Sequence, residues 1–222
     1  MKTKNRILLA VSLIPLIITA ISLTFMNDTV PAHFGINGQP DRYGSKFEYL
    51  ILPLVTLAFY VFWKLFIKFY SSSNTEDVAK ANSNIKTMTV FAIVTNSLFA
   101  VLQCIFISAA LTYQTNSDIT LDFTSLIVYA VSIVYIIIGN YLPKTKRNGF
   151  AGLRTAWTKK NDRNWYIANR NSGIAFVITG ILSIIATAII GGSISIFIML
   201  VILFVTQIIA YIYSYIKVTK ST

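Results

Sequence analysis

Six long runs of apolar residues, separated by shorter polar segments, dominate the pattern of this 222-residue chain. Each run is long enough to cross about 30 Å of hydrocarbon at about 1.5 Å of rise per residue. Because hydrocarbon offers the backbone no hydrogen-bond partner, such runs are predicted to form helices. The pattern therefore predicts an all-α, polytopic membrane protein with six transmembrane helices. The predicted helices are Ile7–Met26, Phe47–Tyr70, Thr87–Tyr113, Phe123–Tyr141, Gly173–Ile190 and Ser193–Ile216.

Composition supports a membrane protein. Hydrophobic residues make up 55% of the chain and charged residues only 12%, whereas a soluble domain is about 25% charged. The first apolar run follows three basic residues and so resembles a signal peptide. It is longer than a typical signal core, and no A-x-A-like cleavage site follows it, so we interpret it as a retained span.

The distribution of Lys and Arg predicts the orientation in the membrane. With the N-terminus inside, 17 of the 19 Lys and Arg residues fall on the inner side, and the outer side keeps only Arg42 and Lys46. Because cytoplasmic loops carry the excess of Lys and Arg, both termini are predicted to be cytoplasmic. This bias also explains the net charge of +11, so no direct nucleic-acid partner is predicted.

The polar residues inside the predicted spans are mostly neutral. No Asp or Glu lies in the middle of any predicted span, which argues against an ion-coupled pump but leaves open a small-solute transporter or channel. Asn96, Gln103 and Gln207 are predicted to form hydrogen bonds between helices, with a peptide-binding groove as the alternative.

Small residues recur at four-residue spacing along the fifth predicted span. Such a stripe lets another helix approach closely, so it is predicted to pack inside the bundle, with a dimer face as the alternative. The sequence leaves the oligomeric state open. The stripe consists of Ala175, Thr179, Ser183 and Thr187.

The first outer loop, Met26–Lys46, carries strong turn signals at Asn37-Gly38 and Pro40-Asp41. It is therefore predicted to be ordered against the membrane surface. His33, the only histidine, has no neighbour at a recognised metal-ligand spacing. We expect no metal there, and a structural or ligand-contacting role for the imidazole.

The longest inner loop, 139–170, holds eight of the 19 basic residues and two of the three Trp residues. Pro143 is predicted to end the fourth span. The loop suits either an interfacial segment that binds anionic membrane lipid or a docking surface for a protein or ligand. No phosphate-binding or hydrolase motif is present, so we predict no enzyme activity, no catalytic residue and no cofactor. The other polar segment, 71–84, is expected to be a mobile cytoplasmic loop.

The order of residues in this inner loop resembles the signature of the SdpI family of bacterial immunity proteins. The segment reads GNYLPKTKRNGFAGLRTAWTKKNDRNW. It departs from the family pattern at Ala156, where Pro is usual, and at Lys159 and Lys160, which make it more basic. The matching residues are Asn140, Pro143, Lys144, Lys146, Asn148, Gly152, Arg154, Thr155, Trp157, Thr158, Trp165, Asn169 and Arg170.

The outer loop is similar to a domain of unknown function often found ahead of that signature. The matching residues are Pro31, His33, Phe34, Gly38, Pro40, Asp41, Ser45 and Lys46. Together the two resemblances imply an N-terminal two-helix unit, 1–70, with an ordered extracellular loop, 27–46. They also imply a four-helix unit, 71–222, with a cytoplasmic signature loop, 139–170.

The family resemblance implies a multi-pass protein of the bacterial plasma membrane that gives immunity to a secreted toxic peptide. It implies that the outer-loop residues contact this peptide, and that the signature-loop residues bind a partner or ligand. It also implies, as an alternative, a receptor that sequesters a cytoplasmic transcriptional repressor.

Overall fold

A computed structural model describes residues 2–35, 39–73, 77–114 and 122–220. The helices within these ranges are α1 (Lys2–Ser22), α2 (Ile51–Ser73), α3 (Val78–Gln114), α4 (Phe123–Tyr141), α5 (Asp162–Ile190) and α6 (Ile194–Thr219). Two strands, β1 (Thr29–Phe34) and β2 (Pro40–Ser45), lie between α1 and α2. Short 3-10 turns at Lys46–Leu50 and Leu142–Lys144 precede α2 and follow α4.

Within the described residues, six helices are long and apolar enough to cross a membrane. This confirms the prediction of a polytopic helical membrane protein. The fourth span, Phe123–Tyr141, has the predicted bounds, and Pro143 lies in the turn that follows it. The β-hairpin is an addition that the all-α prediction did not contain.

The expectation of a loop over 71–84 is wrong for most of that segment. Helix α2 continues to Ser73, and α3 already begins at Val78. Asp77 makes this early start favourable, because its Oδ1 accepts the backbone N–H of Lys80 at 2.9 Å. In the same way, Asn161 accepts the N–H of Asn164 at 2.8 Å, so α5 begins eleven residues before the predicted Gly173.

The helices pack as two groups of three. Helix α3 packs against α1, α2 and α4, while α5 packs against α4 and α6. Helices α4 and α5 approach closely: a Cβ added to Gly139 would lie 2.5 Å from the carbonyl oxygen of Gly173. Gly180 lies equally close to the carbonyl of Ser132. Glycine at these positions lets the two backbones touch.

Polar side chains in the spans join neighbouring helices, as predicted. Gln103 donates from Nε2 to Thr19 Oγ1 at 2.8 Å, and Ser12 donates to Asn96 Oδ1 at 3.3 Å. Ser172 donates to Gln207 Oε1 at 2.7 Å. The small-residue stripe of α5 is buried inside the bundle. Large apolar side chains of α2 and α6 remain exposed, as expected for lipid-facing surfaces.

The two ends of the bundle differ in composition. We call one the basic end: it holds the start of α1, the end of α2, the start of α3, the segment 142–161 and the end of α6. We call the other the hairpin end: it holds the β-hairpin, the end of α3 and the starts of α4 and α6. At this end the N–H of Gly192 donates to Asp122 Oδ2 at 2.6 Å, which fixes the α5–α6 turn against α4. Which side of the membrane each end faces stays a prediction.

The hairpin is antiparallel, with Thr29 opposite Ser45 and Phe34 opposite Pro40. Its inner face is anchored by Val30, which packs with Tyr49 and Ile107 in a buried apolar cluster. Of the predicted turn residues, Asn37 and Gly38 lie outside the described residues, and Pro40 and Asp41 begin β2.

Candidate functional site

The segment Leu142–Asn161 folds over the basic end as a cap, and a buried amide on α3 fixes its start. Asn84 Oδ1 accepts the backbone N–H of Lys146 at 2.8 Å, while Asn84 Nδ2 donates to the Tyr70 hydroxyl at 2.8 Å. Asn84 is fully buried. Since a buried amide is costly unless it is bonded, these contacts tie the cap to α2 and α3.

A second buried amide, Asn169 on α5, fixes the middle of the cap. Its Oδ1 accepts the N–H of Leu153 at 2.8 Å, and its Nδ2 donates to the carbonyl of Trp165 at 2.9 Å. Gly152 lies directly above it with φ +113°, and an added Cβ would lie 2.2 Å from Asn169 Oδ1. Both the backbone conformation and this contact require glycine.

Trp165 is a structural residue of the cap. Its side chain is 2% exposed, and its indole Nε1 donates to the carbonyl of Thr145 at 2.9 Å. Thr145 is also buried and donates to the carbonyl of Leu142 at 2.7 Å. Trp165 therefore holds the first turn of the cap against α5.

Other signature residues form turns within the cap itself. Asn148 Oδ1 accepts the N–H groups of Phe150 and Ala151, at 2.8 and 2.9 Å. Thr158, fully buried, accepts the N–H of Thr155 at 2.8 Å and donates to the Thr155 carbonyl at 3.0 Å. These residues set the local backbone, because short polar side chains replace backbone partners in turns.

Aromatic contacts fasten the cap to two further helices. Phe150 packs edge-on against Tyr70 of α2, with ring centroids 5.4 Å apart. Trp157 packs edge-on against Tyr211 and Tyr215 of α6, at 5.8 and 5.7 Å. The cap is thus attached to α2, α3, α5 and α6.

Most cations of this region project outward from the cap. Arg147 is an exception: it donates to the carbonyls of Lys159 and Lys160 and lies 3.3 Å from Asp162 Oδ1. Arg154 donates to the carbonyl of Gly149 yet stays exposed. We call the exposed cations the cationic surface. They are Lys144, Lys146, Arg154, Lys159, Lys160, Arg163 and Arg170.

The predicted signature residues therefore divide into two kinds. Those that build the cap are Asn148, Gly152, Thr155, Trp157, Thr158, Trp165 and Asn169. Those on the cationic surface are Lys144, Lys146, Arg154 and Arg170. Asn140 belongs to neither, since it is exposed and donates to the carbonyl of Ile136 in its own helix. Pro143 packs on Gly173 at the α4–α5 contact.

Sequence reasoning missed the helix residues that receive the cap. Asn84, Tyr70 and the Tyr211–Tyr215 pair lie far from the signature in the chain, and Asn84 fell in a segment interpreted as a loop. The i, i+4 spacing of Tyr211 and Tyr215 places both on one helix face, which was the only available signal.

Charged groups at the hairpin end are paired with one another. His33 Nδ1 lies 2.5 Å from Asp41 Oδ1, Arg42 Nη2 lies 2.8 Å from Glu48 Oε2, and Lys46 Nζ lies 3.0 Å from Asp28 Oδ1. The hydrogen bond to Glu48 raises the pKa of Arg42. Of the residues predicted to contact a peptide here, His33 and Asp41 thus form a hydrogen-bonded pair, and Lys46 forms an ion pair.

The other residues predicted to contact a peptide at this end either stabilise the hairpin or lie outside the described residues. The carbonyl of Pro31 accepts the Tyr49 hydroxyl at 2.7 Å, which ties the hairpin to the turn before α2. Phe34 packs against Tyr113 of α3, with ring centroids 5.8 Å apart. Gly38 lies outside the described residues.

A cavity of about 530 Å³ lies beneath the hairpin. The hairpin covers it, and its walls come from the starts of α2, α4 and α6 and from α3. Gln103 lines it and is almost fully buried, with its Nε2 donating to Thr19 Oγ1 and to the carbonyl of Tyr49 at 3.0 Å. Among the described residues, no group of three or more His, Cys, Asp and Glu side chains is arranged to hold a metal ion.

Comparison with known proteins links both ends to described families. Residues 144–214 match the SdpI/YfhL protein family, and residues 10–57 match a domain of unknown function, DUF1648. The chain is 25% identical to "Immunity protein SdpI" of Bacillus subtilis (strain 168) over 213 residues, which cover 96% of this chain and 94% of the relative.

A second relative shares only a short stretch. An "Uncharacterized protein" of Archaeoglobus fulgidus is 64% identical over 28 residues, 13% of this chain and 15% of the relative. No solved structure matches the chain.

Proposed function

We propose that this chain is an immunity protein that protects a bacterium from a secreted toxic or antimicrobial peptide, because residues 144–214 match the SdpI/YfhL protein family. The observation that carries this proposal is the similarity to an immunity protein over 96% of the chain. Both the hairpin end and the cap fall within the aligned length, so the similarity is not confined to a shared run of apolar helices.

In this proposal the hairpin end faces outside and the basic end faces the cytoplasm. The excess of Lys and Arg at one side supports that orientation. Successive described helices cross the bundle in opposite directions, which brings the cap, the start of α1 and the end of α6 to the same end. This arrangement also supports the proposed orientation. A peptide arriving from outside then meets the hairpin before it reaches the lipid between the helices.

Protection follows from binding, without covalent chemistry. The hairpin offers exposed polar side chains, including His33 and Asp41, above an apolar cavity. A membrane-active peptide has both polar and apolar surfaces, so this arrangement suits it. Occupation of the protein keeps the peptide from acting on the bilayer.

Expression in a sensitive strain tests the proposal. Cells that carry the chain should survive peptide-containing medium from a toxin-producing strain at concentrations that kill cells with an empty vector. Immunoblotting of membrane fractions verifies the amount of protein. Equal killing of both strains at verified membrane levels contradicts the proposal.

A second candidate function is signalling through capture of a cytoplasmic repressor by the cationic surface. The observation that favours it is the attachment of the cap to four helices, which places the five exposed cations of the cap beside Arg163 and Arg170 of α5. Among the described residues of this end, Asp162 and Asp77 are the only acidic ones. A partner with an acidic face would therefore meet little repulsion.

Charge removal separates this candidate from protection alone. Lys159→Ala with Lys160→Ala should abolish the transcriptional response to the peptide, measured by RNA sequencing, and leave survival unchanged. Lys64→Ala with Lys68→Ala removes the same charge from an exposed face of α2 near the same end and is the matched control. An unchanged response in the cap variant rules out capture through these lysines.

A further inference from the structure

We propose that the cavity beneath the hairpin receives an apolar segment of the toxic peptide, which enters sideways from the outer half of the bilayer and leaves its polar end at the hairpin. This inference rests on the proposed function and names the site and the chemistry of its ligand. The occupant is a peptide segment that is apolar along its length and carries a neutral or cationic end group.

The depth of the cavity fits such a segment. Its lining runs from the hairpin down to Gln103, eleven residues before the end of α3 at Gln114. At about 1.5 Å per residue this distance is about 16 Å, or half of the hydrocarbon thickness of about 30 Å. The volume of about 530 Å³ lies within the range of about 300 to 1,000 Å³ typical of ligand pockets.

The walls are apolar and open toward lipid. Phe106 of α3, Ile127 of α4 and Leu52 of α2 line the cavity. Ile51 lines the cavity and is nevertheless 59% exposed, so it forms part of an open rim. Helices α2 and α4 each pack against α3, and the cavity lies between them. An apolar ligand can therefore enter from the bilayer without crossing a polar barrier.

The charges at the mouth favour a peptide over a phospholipid. Arg42 is the only Lys or Arg among the described lining residues, and it is already bound to Glu48 at 2.8 Å. A phosphate headgroup would have to break this pair to gain a charge-assisted hydrogen bond. Asp28, Asp41, Glu48 and Asp122 outnumber Arg42 and Lys46 at the described hairpin end, which favours a neutral or cationic end group.

The floor of the cavity is held in one arrangement. Gln103 joins α3 to α1 through Thr19 and to the turn before α2 through the Tyr49 carbonyl. The Tyr49 hydroxyl in turn holds the hairpin through Pro31. Because cover and floor share these bonds, the cavity is preformed, which lowers the entropic cost of binding.

A cavity-filling substitution with a matched control tests the site. Ile127→Trp places a large side chain in the cavity, whereas Ile133→Trp places it on an exposed face of the same helix. Ile196→Trp fills the same cavity from α6 and guards against a defect particular to α4. Size-exclusion chromatography and thermal unfolding verify that each variant folds.

The binding probe is a dansyl-labelled synthetic helix of twelve Leu and Ala residues with two Lys at its N-terminus. Binding to the protein in phosphatidylcholine nanodiscs is measured by fluorescence anisotropy. We expect Ile127→Trp and Ile196→Trp to raise Kd at least tenfold and Ile133→Trp to change it less than twofold. A probe with two Glu in place of the Lys pair should bind more weakly.

Several results would overturn the inference. If Ile127→Trp and wild type bind the probe with equal Kd, the peptide binds elsewhere. Displacement of the probe by short-chain phosphatidylglycerol at equal concentration makes the cavity a lipid site instead.

Survival assays on the same variants separate this inference from the proposed function. If wild type protects and folded Ile127→Trp protects equally, the inference fails and the immunity function stands. If wild type gives no protection while the nanodisc results hold, the proposed function fails and the cavity remains a site for apolar peptides.

Discussion

The cap and the hairpin end differ in how their charged, neutral polar and apolar groups are arranged. Beneath the cap, buried neutral amides such as Asn84 and Asn169 bond to the cap backbone, and the charged side chains project outward. At the hairpin end, Arg42 pairs with Glu48 and Lys46 with Asp28, and an apolar cavity lies beneath the hairpin. A protein can thus present fixed charge at one end and fixed apolar volume at the other, and the difference suggests two kinds of ligand.

This contrast also changes the meaning of the signature residues. Most of them bond within the cap or to the helices below it, so their side chains are not available to a partner. The cations between them are available, and they include Lys159 and Lys160, which depart from the family pattern. We therefore expect signature substitutions to lower stability and cation substitutions to alter partner binding.

Gly152→Ala should have the largest effect. The added Cβ meets Asn169 Oδ1, and φ +113° is a conformation that alanine avoids. We expect a loss of at least about 2 kcal/mol of stability, seen as a lower Tm in detergent and faster proteolysis of the cap. Gly149→Ala is the control, because nothing lies within 4 Å of its added Cβ. Equal behaviour of the two variants would refute the assigned role of Gly152.

Asn169→Ala should have the second-largest effect on stability. It leaves the N–H of Leu153 and the carbonyl of Trp165 without their side-chain partner, at a cost of about 1 to 3 kcal/mol. Hydrogen exchange at Leu153 should increase. Arg170→Ala changes the exposed neighbouring residue and should leave exchange unchanged. If both substitutions have the same effect, the amide does not hold the cap.

At the hairpin end, Tyr49→Phe should lower stability by a smaller amount. It removes one hydrogen bond to the Pro31 carbonyl, which contributes about 0.5 to 1.5 kcal/mol. Tyr43→Phe removes a hydroxyl from an exposed strand residue and should be close to neutral. Thermal unfolding in detergent compares the two, and a hairpin that is independent of Tyr49 would give equal Tm values.

The smallest expected effect concerns Asp122, whose carboxylate should make thermal stability depend on pH in the acid range. Burial opposes ionisation, but hydrogen bonds from Ser125, Gly192 and Thr124 outweigh it and lower the pKa of Asp122. A carboxylate with a lowered pKa stabilises the folded state above its unfolded pKa, about 3.9, and this contribution is lost as pH falls through the folded pKa. The Tm of Asp122→Asn should therefore fall less steeply below about pH 4 than that of wild type.

The control for this pH dependence is Asp28→Asn, because the carboxylate of Asp28 is almost fully exposed. Its Tm should follow wild type through the acid range. If the Tm of Asp122→Asn falls with pH as steeply as that of wild type, the carboxylate does not stabilise the α5–α6 turn.

Sequence patterns predicted the membrane spans well because each depends on local composition. Phe123–Tyr141 has its predicted bounds, since polar or helix-ending residues flank the apolar run on both sides. Helices α3 and α5 begin before the predicted spans, because both start with polar turns capped by Asp77 and Asn161. Hydropathy does not detect helical turns that lie in water.

The hairpin and the cap depend on distant partners, and so could be predicted only in part. Turn signals indicated order in the outer loop, but the strands need Tyr49 and Ile107 to anchor them. The signature pointed to 139–170 as important, yet which of its residues are buried depends on distant helix residues, such as Asn84 for Lys146 and Tyr70 for Phe150.

The sequence by itself determined that this protein is a six-span membrane protein with one strongly basic side. Both properties follow from sums over neighbouring residues, namely the free energy of transfer into hydrocarbon and the count of Lys and Arg. Only the tertiary structure decided that the amides of the signature are structural and that an apolar cavity lies under the hairpin. These depend on which helix faces meet, and hence on packing between residues distant in the chain.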